Sequence, residues 1–404
     1  MYKRQLYDWT GLGNIMPSQL AAPDLKWEST NTLDIALEGS LFNDRFTFNV
    51  GFFDKRNSDL IFSLVQAGSV GTIYNGGELG YNPTILTNIG EMKNYGWELQ
   101  FGVDIIRNAN LKWNFNCDFS FITNKIGKLP DGKDLPGQAY FQGKSRFINY
   151  TYDWAGVDML NGRSLYRINP SSPDFWKWDD NTNRYEFSQD LYDAKVNAAK
   201  ASGDYVLING EEYSYNTAYV GRAIKGSKLP KVYGSFGTNL NWKGINFGLL
   251  FTYSLGGKIM NYNYQELMGF NAQAPSALHK DVLKAWTAAP EGMTADSPDR
   301  INPDMVPQFN SQLTTENDRA SSRYLISASY LSLKNINLSY DLPSKWVNAM
   351  KLQNINIGFQ MENAFIATAM KGLNPESAIG GVVGSNGAYY MPARTYTFQL
   401  SVKF

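Results

Sequence analysis

The residue types that carry most enzyme chemistry are nearly missing: one histidine, His279, and one cysteine, Cys117, in 404 residues. A nucleophile, a base and an orienting group cannot be assembled from that pair, so the chain reads as a non-enzyme; an aspartate pair in the loops is the only route left to acid–base work. A single cysteine excludes an internal disulfide, and a single histidine leaves little for zinc, so neither metal nor cofactor is expected. Asp179-Asp180-Asn181-Thr182-Asn183 has the oxygen-rich spacing that opens a calcium loop. Arg184 stands where that loop needs glycine, and Asp190 replaces the bidentate glutamate, which favours an exposed turn. Gly11-Leu12-Gly13 lacks the third glycine of a nucleotide-binding turn. Binding chemistry resides instead in aromatic rings. Between residues 170 and 228, Trp176, Trp178, Tyr185, Tyr192, Tyr213, Tyr215 and Tyr219 could stack on a sugar or a peptide, since rigid aromatic faces supply contact area at low entropic cost. The competing reading is that they pack against one another. Val282, Leu283 and Trp286 have helical spacing, which predicts a short loop helix beside His279.

Lysine plus arginine equals aspartate plus glutamate, 37 of each, so no basic field attracts nucleic acid. Apolar residues make up 43% and aromatic residues 14%, an aromatic excess over ordinary usage. No apolar run approaches the roughly 18 residues of a membrane helix. Met1-Tyr2-Lys3-Arg4 is charged but no apolar segment follows, so no secretion signal is visible. Either the chain is cytoplasmic or the native amino terminus lies upstream.

The elements that must position these residues are strands of period two. Leu33, Ile35 and Leu37 alternate with Asp34 and Glu38; Phe46, Phe48, Val50 and Phe52 alternate with Asn49. Tyr95, Trp97, Leu99, Phe101, Val103 and Ile105 alternate with Glu98 and Gln100, and Trp113, Phe115, Cys117, Phe119 and Phe121 with Asn114, Asn116 and Asp118. Asp34, Asn49, Glu98, Gln100, Asn114, Asn116 and Asp118 are thus expected on one polar, lumen-facing side. A third hairpin joins Val232, Phe236, Leu240 and Trp242 to Ile245, Phe247, Leu249, Phe251 and Tyr253 through Lys243-Gly244, a two-residue turn. A fourth sets Tyr330, Ile336, Leu338 and Tyr340 beside Ile355, Ile357, Phe359 and Met361. The last strand puts Tyr396, Phe398, Leu400, Val402 and Phe404 on one parity and brings the total to about nine.

Each run is about 9 to 15 residues, against about 5 to 6 for a soluble strand and about 9 to 11 for a tilted membrane strand. Short connections alternate with long ones at residues 57–94, 125–230, 254–327 and 363–389, the pattern of periplasmic turns and extracellular loops. Residues 27–404 therefore read as an all-β, partial antiparallel transmembrane β-barrel, and residues 1–26 as an amino-terminal loop or truncated barrel segment. Phe404 then lies at the inner interface and Arg394 near the outer head groups. Tyr95, Trp113, Trp242, Tyr253, Tyr330 and Tyr340 fall at run ends as interface girdles. A soluble carbohydrate-binding β protein is the alternative of a different class. Nine strands leave both edges unpaired in lipid, so additional strands are required for closure.

Several segments carry a family resemblance. Leu25-Lys26-Trp27-Glu28, residues Asn88 to Leu99, Ala155-Gly156-Val157-Asp158 with Asn161-Gly162, and Leu229-Pro230-Lys231 are the first. Tyr330 to Ile336, Leu342-Pro343, Asn363-Ala364-Phe365 and Gly372-Leu373-Asn374-Pro375-Glu376 follow in order. Together they resemble the carboxy-terminal half of SusC-like TonB-dependent outer-membrane transporters. The resemblance implies a plugged barrel of about 22 strands, with the missing amino-terminal barrel and plug upstream of residue 1. It implies import of oligosaccharides or peptides across the outer membrane of a Gram-negative bacterium, a SusD-like lipoprotein as lid, and energy from the TonB complex through the plug. The aromatic final strand, Tyr396 to Phe404, resembles the signal read by the barrel-assembly machinery. A non-transporting barrel fragment would look the same.

Overall fold

The computed structural model of the protein describes residues 4–7, 14–17, 22–65, 73–75, 78–81, 84–182, 184–269, 277–369, 375–378 and 392–404. Gly11-Leu12-Gly13, Asn183, Gly372-Leu373-Asn374 and much of the 363–389 connection lie outside them. Among the described residues no helix is long and apolar enough to cross a membrane.

Alternation of apolar and polar residues produces nine long strands: β1 (Ser29–Leu41), β2 (Phe46–Val65), β3 (Thr84–Arg107), β4 (Leu111–Lys128), β5 (Val232–Trp242), β6 (Ile245–Leu255), β7 (Tyr330–Asp341), β8 (Asn354–Thr368) and β9 (Thr395–Lys403). They form one sheet in plain sequence order, each strand beside the next. Its end strands are β1 and β9; every residue of β9, and all of β1 except Gly39, is exposed. The β5–β6 hairpin closes through Lys243 and Gly244 at φ +47° and +88°, the doubly left-handed turn whose twist matches a two-residue hairpin.

Register sorts the two faces. Tyr396, Phe398, Leu400 and Val402 pair with Met361, Phe359, Ile357 and Ile355; Leu338 and Tyr340 extend the row to Phe247 and Ile245, and these to Leu240 and Trp242. On the other face Asn114 pairs with Asn239, Asn239 with Gly248, Gly248 with Asn337, Asn337 with Gln360 and Gln360 with Thr397. One face is a belt of hydrocarbon and rings, the other a ladder of amides and hydroxyls. Rings couple along the belt: Phe236 stacks on Phe251 at 4.8 Å and Phe359 meets Phe398 at 5.2 Å, each such pair adding about 0.5–1.5 kcal/mol beyond area burial.

Tyr330 departs from the sequence reading. A bulge in β7 shifts the register between Leu250 and Phe251, so Ile336 pairs with Leu249 but Tyr330 with Ser254. The extra residue reverses the alternation, and Tyr330 lies on the polar face rather than in an apolar girdle with Ile336.

The connections are also more structured than expected. β2 and β3 run through both ends of the 57–94 segment, with short strands Ile73–Asn75 and Glu78–Tyr81 between them; β8 likewise continues to Thr368. Strand pairing continues there because hydrogen-bonding partners run on past the apolar stripe. Residues Arg4–Tyr7 and Asn14–Pro17 pair antiparallel.

The chain clusters into two units. In the first (Met1–Ile35, Phe53–Gly96, Thr123–Arg146), Asn88 donates to the carbonyls of Lys26 at 2.9 Å and Asp59 at 2.7 Å, while Glu28 accepts from the Ile61 amide at 2.9 Å. The second (Ala36–Phe52, Trp97–Ile122, Phe147–Phe404) holds the β4–β5 connection from Phe147 onward, which folds with part of the β6–β7 connection as a layer with its own core. Tyr205–Ile208, Glu211–Ser214, Ser164–Arg167, Trp154–Asp158 and Ile301–Asn302 form a five-stranded sheet in that order. Helix α1 (Gln189–Ser202) is capped by Ser188 and ended by left-handed Gly203, and contributes Val196 to a buried cluster with Tyr166, Ile168, Phe175 and Val220.

Candidate functional site

The polar face offers two grooves. The first, about 530 Å³, is lined by Glu38, Asn49, Gln100, Asn116 and Asp118 among others. Asn114 lines the second with Asp104, Lys112, Asn239, Asn241, Asn246 and Asn337. Of the seven residues expected to face a lumen, the fold thus brings four together and sets Asn114 in the neighbouring groove; Asp34 and Glu98 line neither. Asp118 is already occupied: its carboxylate accepts from the Ser235 amide at 3.0 Å and from the Ser235 hydroxyl. Asn114 donates to the Asp104 carboxylate at 3.2 Å.

A polar run at the turn end of this face was missed from sequence. Asn241 donates to Asn246, Asn246 to Asp341 at 3.2 Å, and Asn356 to the other Asp341 oxygen at 2.8 Å. The signal was present, since these asparagines alternate with apolar residues; only the pairing register shows that they share one ladder.

The loop aromatics divide. Tyr213 and Tyr215 are buried, 4% and 5% exposed, in a cluster with Leu165 and Ile208. Tyr215 donates to Asp158 at 2.5 Å and Tyr213 to Glu211 at 2.6 Å. Tyr192 packs edge-on to Phe175 at 5.3 Å and bonds Glu212. Trp178 and Tyr185 meet at 5.3 Å across the hairpin of Trp176–Asp179 and Arg184–Phe187, with the Trp178 indole donating to Asp180. Trp176 and Tyr219 are half-buried. Trp178, Tyr185, Trp176 and Tyr219 therefore retain accessible ring surface, whereas Tyr213 and Tyr215 are spent on packing. Asp179 accepts from the amide and side chain of Asn181 at 2.8 and 3.1 Å, the geometry of an Asx turn closing that hairpin. His279 caps a turn of 3₁₀ helix, Lys280–Lys284, its Nδ1 accepting from the Asp281 amide at 3.1 Å.

Beneath Tyr215 sits a buried ion pair. Asp158, fully buried, receives Arg300 through Nε at 3.0 Å and Nη2 at 2.7 Å, plus the Leu160 amide at 3.0 Å. Burial pushes the carboxyl up, but Arg300, Tyr215 and the amide outweigh it and hold Asp158 below the usual carboxylate range. Burial and the adjacent carboxylate push Tyr215 up to about 12. Two glycines make room: a Cβ on Gly156, at φ +146°, would stand 2.8 Å from the Asn302 backbone, and one on Gly162, at φ +71°, 2.3 Å from the Trp286 ring.

Three further segments meet at Lys334. Its ammonium donates to Asn363 Oδ1 at 3.3 Å and to Glu376 at 2.5 Å, and Asn363 donates to the Ala393 carbonyl at 3.0 Å.

A nine-strand meander with one hydrocarbon face, one amide-lined face and a folded layer between strands has the build of a transmembrane β-barrel segment. Residues 4–179 match the family described as TonB dependent receptor-like, beta-barrel. The chain is 26% identical to TonB-dependent receptor P3 of Formosa agariphila over 97% of its own length and 36% of that protein's. It is 23% identical to TonB-dependent receptor SusC of Bacteroides thetaiotaomicron over 94% of this chain and 32% of that one. The solved RagAB peptide transporter superposes on all of it with a TM-score of 0.68 at 22% identity, and the chain covers 38% of that structure. The chain thus spans about a third of the length of these proteins. Over residues 4–179 it matches the TonB dependent receptor-like β-barrel family, and along nearly its whole length it is similar to SusC-like receptors of the Gram-negative outer membrane.

Proposed function

We propose that this segment is the carboxy-terminal wall and outer loop layer of an importer of oligosaccharides or peptides. The observation that carries this reading is the sorting of faces: an apolar belt suited to lipid and, behind it, a ladder of amides and hydroxyls suited to a hydrated lumen. The likeness to SusC and to a peptide transporter supports import but does not choose between glycan and peptide. Transport in this reading requires further strands beside β1 and β9, a plug within the barrel, the TonB complex as energy source and a SusD-like lipoprotein over the outer layer. β9, with Tyr396, Phe398, Leu400, Val402 and Phe404 exposed, is assigned as the strand the barrel-assembly machinery engages. The ring faces of Trp176, Trp178, Tyr185 and Tyr219 are assigned to the approach path of the ligand.

The test is uptake of labelled oligosaccharides and labelled peptides, each too large for passive entry, by cells carrying or lacking the full-length receptor gene. Loss of one class of uptake on deletion, and equal loss on dissipating the TonB energy source, is expected. Uptake of both classes unaffected by deletion would reduce the segment to a non-transporting barrel wall. The soluble carbohydrate-binding alternative is set aside because the nine-strand sheet leaves a ring-lined apolar face uncovered.

A further inference from the structure

The turn ends of the strands form a continuous rim. Arg107 donates to the Asn43 carbonyl at 3.1 Å, linking the β1–β2 and β3–β4 turns. The Lys243 amide reaches Asn110, the Asp341 amide reaches Gly244, and the Gln353 amide reaches Lys403. Every turn at this end thus touches its neighbour.

The rim is basic and aromatic. Arg45, Lys112, Lys243, Lys345, Lys351 and Lys403 form no ion pair within 4 Å among the described residues and outnumber the carboxylates at the same end, Asp44, Asp104 and Asp341; Arg45 is held by the carbonyls of Asp104 and Ile105, which orient its charge without cancelling it. Phe42 is 77% and Trp346 58% exposed beside these cations, and the Lys243 ammonium lies 5.7 Å from the centre of the Trp242 ring.

Backbone conformation supplies a second, independent observation. Phe42, Lys243 and Lys351 sit at φ +59°, +47° and +59°, left-handed positions that glycine or asparagine would occupy more readily. A bulky or cationic residue at each of three such positions points to a role for the side chain beyond closing the turn.

We propose that this rim binds the phosphate head groups of anionic glycerophospholipids in the inner leaflet of the outer membrane. Arg45, Lys243, Lys345 and Lys351 supply the charge, while Phe42, Trp242 and Trp346 seat in the head-group boundary. Unneutralised cations held at one depth attract a negatively charged surface and leave zwitterionic lipid comparatively indifferent. The inference rests on the orientation adopted above, in which these turns face the periplasm.

The experiment uses the full-length receptor in nanodiscs of pure phosphatidylethanolamine or of phosphatidylethanolamine with phosphatidylglycerol, followed by native mass spectrometry of lipids retained after detergent extraction. Retention of phosphatidylglycerol at least about threefold above its share of the bilayer is expected, falling to that share in a Lys243→Gln, Lys345→Gln, Lys351→Gln variant that keeps its heat-modifiable migration. An Arg45→Gln variant should give an intermediate loss. Should the triple variant lose heat-modifiable migration, wild-type receptor titrated with salt replaces it, and phosphatidylglycerol retention is expected to fall as salt rises. Equal enrichment in wild type and variant, salt-insensitive enrichment, or no enrichment in a correctly embedded wild type, would overturn the proposal. A receptor that fails to enter either bilayer would instead overturn the transmembrane reading itself.

Discussion

Arg300 clasps Asp158 through two N–H···O contacts at 3.0 and 2.7 Å, across 142 positions of sequence, with neither side chain more than 9% exposed. The pair ties the strand Trp154–Asp158 to the segment that enters Ile301–Asn302, its partner at the edge of the outer sheet. Breaking a buried pair by removing one member strands the other charge. Arg300→Met is therefore expected to destabilise the outer layer by about 3–5 kcal/mol. Hydrogen exchange on the full-length receptor should show faster exchange in residues 154–215 while β5 to β9 stay protected.

Acid should loosen the same layer. Asp158 is held below its ordinary value, so its contribution is complete above the normal carboxylate range and is lost as pH falls from about 4 towards the folded-state value. Asp318 has the opposite sign: burial raises its carboxyl, so its contribution favours the folded layer at low pH and fades as pH rises through the raised value. Protease resistance followed on lowering the pH below 4 should fall, and Asp158→Asn should flatten that limb.

Ligand contact and packing can be separated among the aromatic residues. Tyr215→Phe removes a hydrogen bond to a charged group and should cost about 1.5–3 kcal/mol of layer stability, with ligand affinity unchanged. Trp178→Ala should weaken binding several-fold with little effect on stability, since the ring lies on a surface hairpin. Calorimetric titration and thermal melts of the two variants check this; affinity loss confined to Tyr215→Phe would reverse the assignment.

Lys334→Met should release the segment around Pro375–Ala378, because Lys334 is the atom-level link between β7, Asn363 of β8 and Glu376. The pair is mostly buried, its side chains 26% and 22% exposed, so losing it should cost about 1 kcal/mol or more locally, while the barrel should remain heat-modifiable. Limited proteolysis should reveal new cleavage near Glu376.

Phe398→Asp should reduce the assembled, heat-modifiable fraction of the full-length receptor severalfold. Phe398 is 80% exposed on the apolar face and meets Phe359 at 5.2 Å, and a charge on a lipid-facing strand costs up to about 2–4 kcal/mol at mid-membrane, with acidic residues at the lower end. Quantitative blotting of outer-membrane fractions measures it.

The strands were legible because alternation is local: Phe398 and Gln399 announce their faces from adjacent positions. Tyr330 was misplaced because a bulge consumes one residue, and nothing in Tyr330 to Ile336 states whether the alternation runs on uninterrupted. The outer layer was unreadable for a different reason. Tyr166 and Val196 meet in one core only after Ser164–Arg167 pairs with a strand some 50 residues onward, and Asp158 finds Arg300 only through the fold. The loop aromatics looked equivalent in sequence; burial alone distinguishes Tyr215 from Trp178.

The exposed strands β1 and β9 have a consequence for handling. Each presents a row of amides and carbonyls with no strand beside it among the described residues, so each flank acts like the overhang of a cut duplex, specific in spacing but indifferent to the source of its complement. Expressed as an isolated polypeptide, the segment would template itself, flank to flank, into ribbons.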